Sequence, residues 1–346
     1  MFDLNLDQFQ EMKEMIRCVQ LYYGPPPMQQ REIAERLNIS PSKVSRHIKR
    51  ASQEGYFEVV YNFPLLPRLS DELIRLYGLR DAFVVPAGEE KRLKEELGLT
   101  AARYFEKIAG DRVKVGLSCG YTLYFMVKHL REGQIKGMRI YPLASESMLQ
   151  SAVDIVPNTL VGMMAAKYRP EVTAFALPAQ FVSASEASGP PRIDFSARGI
   201  KEIYEEMADV DVAVTGVGDI DPDTPGVCAL AAKLGGVDPQ RLRELGAVGE
   251  FNYQLIDRGG HEVEAPELDR MKTQVIGVRL DRFRELSREH GKTVIAVAGG
   301  KQKADAIRAV LEGRLCNVLI TDHEVALDLI ERKRGAPGPA AGRQAR

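Results

Sequence analysis

Two short stretches carry the residue types needed to hold an anion. Leu117-Ser118-Cys119-Gly120-Tyr121-Thr122 joins an apolar run to a helical one through small residues, with a hydroxyl where the helix would start. Val297-Ala298-Gly299-Gly300, followed by Lys301 and Lys303, repeats the theme: strand, glycine turn, then a helix opening on cations. Free backbone N–H groups and the positive end of a helix make such turns ready phosphate cradles. Either turn alone is a common strand–helix connection. As a pair, with Lys303, they favour a phosphorylated small ligand. Two carboxylates are candidate partners for ligand hydroxyls. Asp322 sits at a predicted strand end, where capping the next helix is the competing role, and Glu250 sits in GAVGEFNYQLIDRGG, where plain solvation competes.

A third constellation points to a different polymer. Residues 28–53 hold six Lys/Arg against two Glu, a local balance of +4 in a chain whose formal net charge is −1. Within them 29–37 reads as a helix, Asn38-Ile39-Ser40 as a turn, and Ser40-Pro41 as the cap and first position of a third helix. Val44, Ile48 and Ala51 recur at helical spacing and are expected inside. That leaves Ser42, Lys43, Ser45, Arg46 and Lys49 facing outward. Short hydroxyls near the helix start, with long cations behind them, suit a helix laid in the major groove of DNA. Gln30 and Ser40 join this candidate DNA-binding set, and Arg46 is its best guanine reader because a guanidinium can donate to O6 and N7 together.

The elements that must position these residues fall into two textures. The first sixty residues read as short helices, the first over 6–23 and broken by Gly24-Pro25-Pro26-Pro27, with a wing-like strand over 56–62. Pro64 and Pro67 mark a linker leading to a helix over 69–77. From Asp81 onward, apolar runs at 82–85, 113–117, 139–143, 172–176, 212–216, 273–278, 293–297 and 317–321 alternate with helical patterns at 91–109, 121–129, 155–168, 197–208, 280–290 and 302–312. Strand–helix alternation predicts an α/β, doubly wound, Rossmann-like domain with a largely parallel sheet. The expected organisation is a helix-turn-helix domain over 1–63, a linker helix over 64–80, an effector and oligomerisation domain over 81–332, and a frayed tail over 333–346.

At 346 residues, 45% hydrophobic and 27% charged, the composition is that of a globular chain of two domains. The near-neutral total confines any nucleic-acid attraction to the local basic patch. Cys18, Cys119, Cys228 and Cys316 lie far apart, with no zinc-ligand spacing, so neither a metal nor a cofactor is expected. No apolar run approaches the ~20 residues of a membrane span, and the acidic, mixed N-terminus is unlike a signal peptide. A soluble, cytoplasmic protein is expected.

LYYGPPPMQQREIAERLNISPSKVSRHIKRASQEGYFEV resembles the DNA-binding head of the SorC family of sugar-responsive transcription regulators. Further landmarks follow in family order: VGLSCGYTL (115–123), LPAQFV (177–182), VDVAVTGVGDI (210–220), VAGGKQKADAIRAVL (297–311) and LITDHEVA (319–326). The resemblance implies an effector domain shaped like sugar-phosphate isomerases and deaminases, binding a phosphorylated sugar without turnover, in a tetramer. It also implies that Gly120, Thr122, Gly299, Gly300 and Lys303 hold the phosphate. Where the family commonly has Trp-Gly-Arg-Thr, this chain has Cys119-Gly120-Tyr121-Thr122, so an arginine is exchanged for the flat ring and hydroxyl of Tyr121. Glu146 falls where many members have glycines or a cation. Both changes lower the positive charge near the ligand. A helix-turn-helix reads one half-site, so at least a homodimer is expected on double-stranded operator DNA. The competing function is an isomerase- or deaminase-like enzyme with a DNA-binding head. It needs a general base near a sugar carbon, and His47, His129, His261, His290 and His323 form no cluster in the sequence, His323 beside Asp322 being the one pair to consider. A DNA-binding protein with an inert pocket is the third reading.

Overall fold

The structure, a computed structural model, describes residues 6–24, 26–57, 65–145, 155–177, 199–220, 236–269 and 277–335. It divides into two compact units, 1–62 and 63–346.

The smaller unit is built from α1 (Leu6–Tyr23), α2 (Gln30–Leu37) and α3 (Pro41–Gln53). Local chemistry sets each boundary. The Gln29 N–H donates to Glu32 at 2.7 Å at the start of α2, and Asn38 takes the left-handed conformation (φ 54°) that closes it. Ser40 then caps α3, its hydroxyl accepting from the Lys43 N–H at 3.2 Å, with Pro41 at the first helical position. Cys18, Ile33, Ala34, Val44 and Ile48 form the core, and Met15, Val19 and Ala51 form a second small cluster. The expected inward face of α3 is therefore found, with His47 added to it. Of the expected wing strand, residues 58–62 lie outside the described residues.

The larger unit opens with α4 (Pro67–Tyr77), expected as a linker helix. It packs instead on its own unit's core. Leu73 is fully buried, the Tyr77 hydroxyl donates to the Leu329 carbonyl at 3.1 Å, and the Leu66 N–H donates to the Val84 carbonyl. A parallel sheet follows: β1 (Asp81–Val85), β2 (Lys114–Leu117), β3 (Met138–Pro142), β4 (Val172–Ala174), β5 (Val212–Gly218), β8 (Thr293–Val297) and β9 (Val318–Asp322), in spatial order β1-β9-β8-β5-β2-β3-β4. Its covering helices include α5 (Glu90–Ile108), α6 (Tyr121–His129), α7 (Pro157–Lys167), α8 (Ile200–Met207), α9 (Pro239–Glu244), α10 (Leu280–Arg288), α11 (Ala304–Glu312) and α12 (His323–Gly335). Apolar clusters fill both faces, which is why β8 and β9 read as unbroken hydrophobic runs rather than alternating ones.

Two features depart from the expected strands. Residues 273–276 of the run at 273–278 lie outside the described residues, and Gly277 makes an isolated bridge to Ala144. An unforeseen antiparallel hairpin, β6 (Gly249–Phe251) and β7 (Gln254–Ile256), turns at Asn252 and Tyr253, both left-handed, and pairs with the end of β5. From β2 the chain moves outward to β3 and β4. From β5 it moves the opposite way, toward β8 and β9. The connections that follow neighbouring β2 and β5 therefore leave in opposite directions, which places a crevice at their carboxyl ends, where α/β sheets bind ligands.

Candidate functional site

In the smaller unit the outward face of α3 carries exposed Ser42, Ser45, Arg46 and Lys49, with exposed Ser40 at its cap and half-buried Gln30 on α2. The Ser40 and Ser42 hydroxyls lie 3.0 Å apart, and Arg46 Nε donates to the Ser42 carbonyl at 3.4 Å, leaving the guanidinium end outermost. Two other cations of α3, Lys43 and Arg50, are engaged by carboxylates. Lys43 Nζ lies 2.6 Å from Glu14 Oε1, which also meets His47 Nε2 at 2.7 Å. Arg50 meets Glu54 at 2.5 Å and Glu11 at 2.8 Å. The hydrogen bond from Lys43 holds the Glu14 carboxyl below its ordinary value. The patch counted as +4 is thus partly neutralised by α1, a helix whose acids the local count left out.

In the larger unit the β2/β5 crevice encloses about 180 Å³. Its walls come from several parts of the chain. The loop after β2 brings Cys119, Gly120, Tyr121 and Thr122, and the end of β5 brings Gly218 and Asp219. The turn after β8 brings Gln302 and Lys303, while the β6–β7 hairpin brings Glu250, Asn252 and Tyr253. Gly120, at φ 119°, adopts a conformation open mainly to glycine and starts α6, whose first N–H groups have no acceptor within the helix. Lys303 points inward, its Nζ donating to the Val217 carbonyl at 2.9 Å, and desolvation pushes its ammonium below the usual lysine range. Burial pushes the Cys119 thiol up to about 12, so it stays protonated and is no nucleophile at neutral pH.

Several residues come together as the sequence suggested, and others do not. Gly120, Tyr121, Thr122, Glu250 and Lys303 all line the cavity. Gly299, Gly300 and Asp322 do not. Asp322 is fully buried: Oδ2 accepts from the Gly300 N–H at 2.6 Å, and Oδ1 accepts from the Glu324 and Val325 N–H groups at 2.9 and 3.1 Å. It caps α12 and clamps the glycine turn. A Cβ at Gly299 would lie 2.5 Å from that carboxylate, so the double glycine makes room for the clamp. His323 does not line the cavity, and its Nδ1 accepts from the Ala87 N–H at 2.7 Å. Among the described residues no cluster of three metal-ligating side chains occurs.

Among the cavity residues absent from the predicted set, four carry charge or a polar network. Glu90 and Lys94, ion-paired at 2.7 Å, arrive from α5, and Asp219 directly follows β5. Asn252 is buried, its Oδ1 accepting from the Ser118 hydroxyl at 2.8 Å while Nδ2 donates to the Leu143 and Val278 carbonyls. It ties three loops behind the cavity. The turn signal Asn-Tyr was visible, but the partner strand was not. Glu250 reaches the cavity only because Gly218 opposes it: a Cβ there would sit 2.3 Å from Glu250 Cγ.

Comparison with known proteins gives the same two parts. Residues 62–331 match the family model Sugar-bind, a sugar-binding domain, and residues 26–58 match a winged helix-turn-helix DNA-binding model. The deoxyribonucleoside regulator of Bacillus subtilis is 29% identical over 321 residues, covering 91% of this chain and 96% of that protein. The transcriptional regulator LsrR of an Enterobacter species is 26% identical over 317 residues, covering 91% and 92%. The crystal structure of the full-length sorbitol operon regulator SorC from Klebsiella pneumoniae shares the fold, with a TM-score of 0.66 at 21% identity, covering 92% of this chain and 98% of that one.

Proposed function

The chain belongs to the Sugar-bind family of SorC-type regulators, and from that premise we propose that it is a transcription regulator whose DNA-reading head is controlled by a sugar or phosphosugar in the β2/β5 cavity. One observation carries the ligand part. A desolvated lysine, Lys303, and the start of α6 share a cavity wall with Glu250, so one pocket offers a cation with free N–H donors and, apart from them, a hydroxyl acceptor. Sugars and their phosphates present that combination.

In the proposed arrangement Lys303, Thr122 and the first N–H groups of α6 take the anionic or most electron-rich end of the ligand. Glu250 takes hydroxyls, with Asp219 beside it. Gly120, Gly299 and Gly300 shape the two turns, and Asp322 acts by clamping the second turn rather than by touching the ligand. Tyr121 stands at the rim. Operator DNA is read by Arg46 on base edges, with Gln30, Ser40, Ser42, Lys43, Ser45 and Lys49 on the backbone and neighbouring bases. Half-site reading calls for a homodimer or homotetramer, and control follows if the ligand has different affinity for the DNA-competent and DNA-incompetent states. The relatives are named as regulators, and no catalytic role is proposed. Among the described residues no helix is long and apolar enough to cross a membrane, which accords with a cytoplasmic place of action.

The test is a thermal-shift screen against sugars, polyols and their phosphates, followed by mobility-shift assays on operator fragments with each hit. A ligand at a hundred times its Kd adds about 2.7 kcal/mol of stability, so binders stand out, and at least one should change operator affinity. A hit consumed by the protein would favour an enzyme. A screen with no stabilising compound would favour a DNA-binding protein with an inert pocket.

A further inference from the structure

The polar cavity does not end at its own rim. Tyr121, the first residue of α6, is 44% exposed, a high value for a large aromatic side chain. Outside it lies a second recess of about 560 Å³, walled by Tyr121, Tyr124, Phe125, Ile155, Glu90 and Lys94. Four of these, Tyr121, Ile155, Glu90 and Lys94, also line the inner cavity, so the two spaces adjoin. The inner part is built from carboxylates, lysine and backbone ends. The outer part sets three rings beside Glu90, Lys91 and Lys94, with Tyr124 and Phe125 edge to face at 5.5 Å. Lys94 Nζ stands 5.7 Å from the centroid of the Tyr121 ring and 2.7 Å from Glu90 Oε1.

A bare monosaccharide seated in the inner cavity has no part that fills the outer recess of about 560 Å³. A flat unsaturated ring suits that recess, because aromatic faces stack on such a ring and gain dispersion in place of water. The rim also sets an ammonium donor and a carboxylate acceptor next to the ring, which suits a flat group with both acceptors and donors on its edge. Nucleobases combine that flatness with that edge. Resting on the reading that the inner cavity holds a sugar, we propose that the effector is a nucleoside or its phosphate, with the sugar inside and the base laid on Tyr121 between Lys94 and Glu90.

Calorimetric titration of the full chain tests this with matched pairs: thymidine against 2-deoxyribose, adenosine against ribose, and the 5′-phosphates of each. The base should strengthen binding about tenfold or more over the matched sugar. Tyr121→Ala should bring that ratio close to one, while Tyr121→Phe, which keeps the ring, should preserve it. Lys94→Met should reduce it by an intermediate factor. Equal affinity for nucleoside and sugar in the unaltered protein overturns the proposal, as does a ratio unmoved by Tyr121→Ala or a preference for a disaccharide over every nucleoside. In those cases the sugar-binding reading stands if the bare sugars or their phosphates bind and Lys303→Met weakens them. If neither class binds, both fall together.

Discussion

The two units handle positive charge in opposite ways. On the DNA-reading unit Lys43 and Arg50 lie at the surface, each against a carboxylate of α1. In the effector unit Lys303 is drawn into a cavity wall, where a backbone carbonyl accepts from it and desolvation lowers its pKa. Exposed ion pairs contribute little, about 0–1 kcal/mol, and exchange readily for a phosphate. A buried ammonium is costly to hold and is strongly attracted to any anion that reaches it. One unit is therefore suited to graded, salt-sensitive contact with a polymer, the other to all-or-none recognition of one small molecule.

The largest expected effect comes from removing the buried cation. Lys303→Met should weaken effector binding on the order of a hundredfold, since truncating one partner of a buried charge contact costs about 2–5 kcal/mol. Operator affinity without ligand should be unchanged. The ligand-free protein should also melt higher by about 2–4 °C, a gain of about 1 kcal/mol from losing a desolvated charge. Calorimetry with differential scanning measures both, and an unaltered effector affinity would remove Lys303 from the site.

Next comes Arg46→Ala. A bidentate base contact discriminates by about 1–3 kcal/mol, so operator affinity should fall about tenfold or more while affinity for random DNA falls far less. Equal losses on both would make Arg46 a backbone contact.

A smaller effect separates the ion pairs from the DNA contacts. Glu14→Gln releases Lys43, so DNA binding should tighten a few-fold, and the slope of log affinity against log salt should steepen by up to about 0.9, the value for one added phosphate contact. A weaker complex instead would mean that Glu14 is needed to hold α3 in place.

The smallest effect is on acid stability. The folded Glu14 carboxyl titrates below its ordinary value of 4.5. Its contribution is therefore complete above that value and is lost as pH falls through the depressed one. Denaturant melts between pH 5 and 3 should show a shallower decline in Glu14→Gln than in the unaltered chain.

Residue by residue, legibility followed the distance over which each feature is specified. The DNA-reading helix could be read because Asn38, Ser40 and Pro41 act on backbone groups within four positions of themselves. The glycine turn at Gly120 before α6 and the placement of Lys303 after a second glycine turn were legible for the same reason. The partners of those residues were not. Glu250 and Asn252 enter the cavity only because the β6–β7 hairpin pairs with the end of β5, more than thirty positions away in sequence. Glu90 and Lys94 enter because α5 packs tightly on α6 at Gly98, where a Cβ would come within 2.6 Å of Phe125. Asp322 looked equally able to take a sugar hydroxyl or cap a helix, and the buried Gly300 N–H beside it decided for the clamp.

By itself, then, the sequence determined what short-range forces can write: the helix caps, the parallel strands, the basic face of α3 and the two glycine turns. The tertiary structure alone decided which charges are active. Lys43 is paired and Lys303 desolvated, Asp322 is withdrawn from the cavity, and Tyr121 is left bare at its mouth. The physical reason is that a side chain's protonation, reach and accessibility depend on dielectric and on neighbours brought from distant strands, and neither is encoded in local spacing.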